Sequence, residues 1–448
     1  MTADDDAADN AVRAQYEAYP YPAREPGDEA QRLITGSPSH LLEIEHFVFA
    51  GGRVGGAAGA GGFRALVAGG GTGDGAIMLA QQLADRDAGP GAGPVGGPGS
   101  GPGGGTVTYL DMSSASLAVA KSRAAARGLD NITFHQGSLL DLPQICAERG
   151  WAPFDYIDCC GVLHHLASPK DGLAALVSVL AERGGLGLML YGELGRTGVY
   201  PAQRAIARLR GDDPAHESLA LARRLVAAMP NGNWLRRNAY LADHLAGDDA
   251  GFHDLLLHSR DRAYLVGEVA ELVAGADMRI SGFLPSGAYD PANYLNDPDL
   301  IQRAAALPAL QRWALAEELS GAMKTHVFYA VRNSNETGGI PRDQTPAMVP
   351  VLREMAADRL AASLAQSPRL TATLGGIERQ FELPPGAADI VAHIDGRRTL
   401  RQIHGRMRVG GSKMGGKKMN WDQFAKAFSA LYGILHPLNL LLFAGAEL

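Results

Sequence analysis

Leu66-Val67-Ala68-Gly69-Gly70-Gly71-Thr72-Gly73-Asp74 is the stretch that decides the fold. A short apolar strand, Arg64 to Ala68, runs into a turn of glycines and then into Asp74 to Ala84, where Ile77, Met78, Ala80 and Leu83 are spaced as on a helix. Glycines at such a turn let a ligand approach the main chain, because no Cβ stands in the way. The pattern alone is shared by dinucleotide enzymes, other nucleotide-binding proteins and plain structural turns of α/β proteins. Asp111 narrows it. This residue closes a second strand, Thr106 to Leu110, where a carboxylate can accept both hydroxyl hydrogens of a ribose; capping of the following helix is its structural alternative. Asp111 stands 38 positions after Gly73, against roughly 20 in such sites. Residues 88–105, AGPGAGPVGGPGSGPGGG, account for the excess, because Gly, Pro, Ala and Ser cannot build a core and read as a flexible loop.

Outward from this unit the alternation continues. A helix from Ser114 to Arg127 is capped by Ser113 and ended by Gly128. Ile132 to His135 is a strand, Phe154 to Cys159 a buried strand, Lys170 to Glu182 a helix and Gly185 to Tyr191 an apolar strand. Five strands alternating with helices predict right-handed crossovers and a parallel sheet covered on both faces. Tyr264 to Ala274 reads as a helix, and Met278 to Leu284 and Thr325 to Arg332 as two more strands. Residues 1–40 read as an N-terminal arm or lid, 41–333 as the α/β domain with helical insertions at 201–259 and 286–323 over its ligand edge, and 346–448 as a smaller helix-rich domain. The polar stretch 333–345 is the boundary between the last two.

Composition sets limits. Glycine and proline, at 57 and 25 residues, make up about 18% of the chain against an average near 12%. A net charge of −7 without a long basic run disfavours a broad nucleic-acid-binding face. Three cysteines, two of them adjacent, fit a reducing compartment and offer no zinc spacing. The acidic start at Asp4, Asp5 and Asp6 is unlike a secretory leader, and no run of 18 apolar residues occurs. A cytoplasmic protein without a membrane span is expected.

Four segments in order resemble the class I S-adenosylmethionine-dependent methyltransferases: LVAGGGTGD at 66–74, YLDMS at 109–113, FHQGSLLDLP at 134–143 and FDYIDCCGVLHHL at 154–166. The resemblance covers residues 63–196 well and 264–332 more weakly. It implies a seven-stranded, doubly wound, Rossmann-like sheet whose last two strands form an antiparallel hairpin, the seventh strand inserting between the fifth and sixth. It implies S-adenosyl-L-methionine as cofactor, with Gly69, Gly71 and Gly73 around the methionine part, Asp111 on the ribose, and Met112 a further cofactor-binding candidate. The resemblance would further set Gly137, Ser138 and Leu139 against adenine, and Cys160, Gly161 and Val162 under the sulfonium. Two positions depart from the family pattern: the acidic residue two before the first glycine is Val67, and the adenine-side Asp is Ser138. Asp74, Tyr16 and Tyr21 are candidates to replace those contacts. A nicotinamide dehydrogenase is the competing reading, but its GxGxxG spacing does not match this turn.

The arm Gln15-Tyr-Glu-Ala-Tyr-Pro-Tyr-Pro22 is stiffened by its prolines and suits a lid. It is similar to an element preceding the core of some bacterial methyltransferases, and aromatic packing is its bland alternative. His164 and His165 begin the helix after the fourth strand, and Tyr191, Glu193 and Arg196 follow the fifth, all at the edge where open α/β sheets bind ligands. His164 or His165 is the candidate base with Tyr191 or Glu193 as partner, a structural pair being the alternative. Arg196 reads either as an anchor for an anionic acceptor or as a solvated loop charge. His253, Asp254 and His258 could be read as a metal cluster, but Asp254 and His258, at i, i+4, are equally a helix-surface pair, and no metal is expected.

The expected activity is methyl transfer to a small-molecule or peptide nucleophile. The last hundred residues loosely resemble winged-helix modules that bind leader peptides or dimerise enzymes. They yield the alternative of a substrate-recruiting or homodimerising module. A cofactor-binding regulator without catalysis is the remaining alternative.

Overall fold

A computed structural model of the chain describes residues 3–445 apart from 53, 55–61, 88–103, 212–214, 243–244, 246–248, 342, 410–412 and 415–416. The glycine-proline loop expected at 88–105 therefore lies almost wholly outside the described residues.

Seven strands form the central sheet: β1 (Arg64–Ala68), β2 (Thr106–Asp111), β3 (Ile132–Gln136), β4 (Phe154–Cys160), β5 (Leu180–Tyr191), β6 (Met278–Leu284) and β7 (Thr325–Arg332), in the order β3-β2-β1-β4-β5-β7-β6. The first five pair in parallel, and β7 lies antiparallel between β5 and β6 as the sequence predicts. One boundary differs. The helix expected to run to Glu182 stops at Ser178, because Leu180 already pairs with Phe154, with a bulge before the register resumes at Gly185 opposite Tyr156.

The helices that position the site are α1 (Ala3–Ala18), α2 (Leu41–Phe47), α3 (Asp74–Asp87), α4 (Ser114–Arg127), α5 (Leu142–Arg149) and α6 (Pro169–Ser178). Ser113 Oγ accepts the Ser116 N–H, and Gly128 takes the left-handed conformation that ends α4, as expected of both. Leu66, Ile157, Leu186, Leu188 and Phe328 form a buried core on one face of the sheet with Leu139, Leu173 and Val269. Ala65, Val67, Tyr109 and Tyr329 form the other with Ile44, Phe47 and Leu79. Near-continuous apolar strands are what a sheet covered on both faces requires.

The intervals after β5 and β6 are largely helical, with helices at Val199–Arg210, Ala215–Ala228, Asp249–Leu256, Pro298–Ala305 and Ala309–Ser320. Residues 349–444 carry a third core around Leu360, Ile390, Ile403, Phe424, Phe428 and Leu431. Three two-stranded sheets accompany its helices: β8 (Val349–Leu352) with β13 (Leu441–Ala444), β9 (Arg369–Leu374) with β10 (Ile377–Glu382), and β11 (Lys413–Met414) with β12 (Lys417–Lys418). The sequence reading has this region helix-rich and without these strands.

This region is fastened to α2. Arg353 pairs with Glu43, Asn439 Nδ2 donates to the same carboxylate at 2.6 Å, and the Phe443 N–H donates to His46 Nδ1 at 3.0 Å.

Candidate functional site

The turn from β1 to α3 fixes one end of a cavity of about 520 Å³. Gly69 and Gly71 both have positive φ, +76° and +52°. A Cβ on Gly69 would stand 2.3 Å from Val162 Cγ2, and one on Gly71 would stand 2.6 Å from the Tyr21 carbonyl oxygen, so both positions require glycine for conformation and for space. The Asp111 carboxylate accepts the N–H groups of Gly71 and Ser113, each at 2.8 Å. Burial nevertheless pushes its pKa up, overcoming those donors. Asp111, Met112, Ser138, Leu139, Cys160, Gly161 and Val162 all line the cavity, as the resemblance implies.

The arm closes over this turn. Glu17 accepts from the Ser114 and Ala115 N–H groups at 2.7 and 3.0 Å, a carboxylate at the N-terminus of α4 where the helix dipole favours it. The Tyr21 and Pro22 carbonyls accept from Thr72 N and Thr72 Oγ1 at 3.3 and 2.7 Å. Arg24 pairs with Asp74 at 2.6 Å, and Arg123, 1% exposed, joins Asp74 to Glu29. Burial works to raise the Asp74 pKa, but the two guanidinium groups hold it below the ordinary value. Residues 37–39 follow the arm into the cavity wall, with Tyr156 and Tyr329 both donating to the Pro38 carbonyl.

At the far end Tyr16, His165, Tyr191, Arg196, Leu241, Asp254 and Leu255 converge. Tyr16 Oη donates to Asp254 Oδ1 at 3.1 Å, and Tyr191 Oη donates to Oδ2 at 2.8 Å. Burial, then the Asp254 charge, raises the pKa of both phenols, so both stay protonated. The Arg260 N–H donates to His258 Nδ1 at 3.0 Å, which puts the His258 proton on Nε2, 3.2 Å from Tyr16 Oη. His165 Nδ1 faces the Arg260 carbonyl at 2.8 Å. A carbonyl only accepts, so that nitrogen carries the proton and Nε2 keeps its lone pair. Burial lowers the His165 pKa to about 4. His165, Asp254 and His258 offer ligand atoms within 4.8 Å of one another, and Asp254 and His258 are joined through the Tyr16 hydroxyl.

Several sequence-predicted residues stand elsewhere. Gly73 does not line the cavity; a Cβ there would meet Ala120 Cβ at 3.0 Å, so it serves the close packing of α3 on α4. His164 lies behind the wall, 1% exposed, with neither ring nitrogen hydrogen-bonded and its ring stacked on Tyr191 at 3.8 Å. Glu193 is exposed and outside the lining, its N–H bonding the Tyr264 carbonyl. Arg196 is no solvated loop charge: it is 4% exposed, pairs with Asp261 at 2.9 Å and lies over the Tyr191 ring. Of the two insertions, the first supplies Leu241, Asp254 and Leu255 to the cavity and the second, among the described residues, none.

Sequence reading also missed Ser39 and Asp158 in the cavity wall. The signal for Asp158 was available, since a lone carboxylate inside the apolar run Tyr156-Ile-Asp-Cys-Cys160 is costly without a purpose.

Residues 66–186 match the protein family described as "Methyltransferase domain". An uncharacterized protein of Synechococcus sp. is 33% identical over 232 residues, 51% of this chain and 54% of that protein, so the chain spans about half the length of this curated relative. Among solved structures, PKMT2 from Rickettsia typhi is similar at a TM-score of 0.58 with 14% identity, over 91% of this chain and 75% of that one. The same protein in complex with AdoHcy gives the same values. At that identity the likeness shows a shared fold.

Proposed function

We propose, on the premise that residues 66–186 are a class I S-adenosylmethionine-dependent methyltransferase domain, that the whole chain is a methyltransferase acting on a small-molecule or peptide nucleophile held beneath the arm. The cofactor fits the residues present. Gly69 and Gly71 form a cradle that a Cβ would fill, and Asp111, with two N–H donors already bound, retains lone pairs for ribose hydroxyls. Met112, Ser138 and Leu139 would flank the base, and Cys160 to Val162 would lie beneath the sulfonium. When bound, S-adenosylmethionine supplies an electrophilic methyl group whose positive sulfonium is neutralised as the bond to carbon breaks.

The protein's own task is then alignment and dryness. The observation that carries this reading is the single cavity joining the glycine turn to the cluster of Tyr16, His165, Tyr191 and Asp254. His165 Nε2 is the one group there with both a fixed lone pair and a neutral ring, and it is assigned as acceptor of the proton that the nucleophile loses. Tyr191 is assigned to position the acceptor, its hydroxyl fixed by Asp254 and its ring clamped between His164 and Arg196. The arm, through Tyr16, completes the wall and excludes water.

The test is incubation of purified protein with methyl-labelled cofactor and cell extracts or peptides, read by mass spectrometry. Transfer of label to an acceptor is expected. Cofactor binding without transfer to any acceptor would favour the regulator reading, and absence of cofactor binding would remove the proposal.

A further inference from the structure

Val67 on β1 and Asp158 on β4 are register partners across adjacent parallel strands. Position 67 is where the family pattern carries an acidic residue, and this chain has valine. The neighbouring strand carries a carboxylate at the same height in the sheet. Ile157 and Cys159 beside it are fully buried, and a charge in such a strand costs several kcal/mol unless it is paired.

Asp158 is 2% exposed and lines the cavity, and its Oδ1 makes no hydrogen bond. Among the described residues it forms no ion pair. A Cβ built on Gly75, in the first turn of α3, would stand 3.1 Å from Asp158 Oδ2 and 2.5 Å from Ser39 Oγ, so two oxygen groups converge on a position that only glycine leaves open. Cys160, assigned to the sulfonium end, is two residues along the same strand and hence on the same face. A carboxylate and a hydroxyl set one strand step below the sulfonium face where the methionyl part of the cofactor would extend, and that part carries an ammonium group.

We propose that Asp158 binds the α-ammonium of the cofactor's methionyl moiety, with Ser39 Oγ beside it, the anchoring carboxylate having moved across the sheet from β1 to β4. This deepens the cofactor reading above and rests on it. No covalent step is involved: a buried carboxyl group whose Oδ1 has no hydrogen-bond partner gains a cation.

The test compares two ligands by titration calorimetry on the full chain. S-adenosylhomocysteine has the ammonium; 5′-methylthioadenosine shares the adenosyl and thioether parts and lacks it. Asp158→Asn keeps the side-chain shape. The expected result is an affinity loss of about tenfold or more for S-adenosylhomocysteine and less than about threefold for methylthioadenosine. In the absence of ligand the variant should melt at or above the wild-type temperature, which shows that the loss is not misfolding. Equal losses for the two ligands, or no loss for S-adenosylhomocysteine, overturn the assignment. Failure of the wild type to bind either ligand is a different outcome: it removes the cofactor reading, and the assignment falls with it.

Discussion

The hydroxyl of Tyr16 on the arm donates to the carboxylate of Asp254 in the first insertion, 3.1 Å away and 238 residues later in the chain. The bond closes the cavity wall between two segments that have no contact in sequence, and it ties lid position to the geometry of Tyr191, the other donor to Asp254.

Tyr16→Phe removes that donor and the partner of His258 Nε2. Leaving a buried carboxylate with one donor fewer costs about 1–3 kcal/mol. The expected outcome is a lower unfolding midpoint in denaturant together with faster cofactor release in stopped-flow chase experiments. Unchanged release would show that the arm is not a lid.

His165→Asn retains a donor for the Arg260 carbonyl while removing the lone pair on Nε2. A drop in kcat of about a hundredfold is expected, with cofactor affinity nearly unaltered. Since burial lowers the His165 pKa to about 4, the wild-type rate should be level from about pH 5 upward and fall only as pH drops through about 4, where the base becomes protonated. The variant should lose that acidic limb.

Asp111→Ala deletes the acceptor that serves both the Gly71 turn and, in the proposed complex, the ribose. Charge-assisted hydrogen bonds of about 1.5–3 kcal/mol are at stake. Calorimetry should show affinity for S-adenosylmethionine reduced by about tenfold or more; equal binding by the variant would remove the ribose assignment.

The ligand-free protein should also respond to pH through Asp158, whose pKa burial raises to about 7. The unfolded value is about 4, so between the two the folded state binds more protons and stability falls as pH rises from about 4 to 7. The neighbouring groups do not titrate in that interval: Tyr156, Tyr329, Cys159 and Cys160 are all shifted upward, chiefly by burial, and Asp74 is held low by Arg24 and Arg123. His165 contributes with the opposite sign, its stability being lost as pH falls from about 6.5 toward 4. Denaturant unfolding of wild type and Asp158→Asn at pH 5 and pH 8 isolates the first effect. The variant should gain relative to wild type at pH 8 by about 2–4 kcal/mol at most, and a difference independent of pH would contradict it.

Ending the chain at residue 340 tests how separable the last hundred residues are. The polar composition of 333–345 predicts a clean break, yet Arg353, Asn439 and Phe443 are fastened to Glu43 and His46 on α2. Truncation would leave Glu43, 0% exposed, without Arg353 and Asn439. A melting temperature several degrees lower is expected. Retention of the full-length melting temperature would show that the attachment to α2 contributes nothing.

How much could be read from the sequence follows from the range of each interaction. The order of strands, the Ser113 cap, the Gly128 stop and the glycine turn were all legible, because each is dictated within a few residues by alternation, capping or the absence of a Cβ. The Leu180 strand start was not: Leu180 to Glu182 fit a helix pattern locally, and pairing with Phe154 overrides it. His164 and His165 are adjacent in sequence and look interchangeable. Only the Arg260 carbonyl, 95 residues on, distinguishes the one that keeps its lone pair on the cavity from the one stacked behind the wall.

The sequence by itself determined the glycine-turn half of the cavity, since Gly69, Gly71, Asp111 and Ser138 sit at strand ends that one sheet brings together wherever that pattern occurs. The half of the cavity around Asp254 was decided by tertiary structure. Tyr16, His165, Tyr191 and Asp254 come from an arm, two strand ends and an insertion, and no periodicity marks them as neighbours. They meet because the arm docks on α4 and the insertion folds over β5. Asp158 shows the same division: an oddity in the sequence, it acquires a register with Val67 and an unpartnered oxygen only in the folded sheet, and the role proposed for it rests on these.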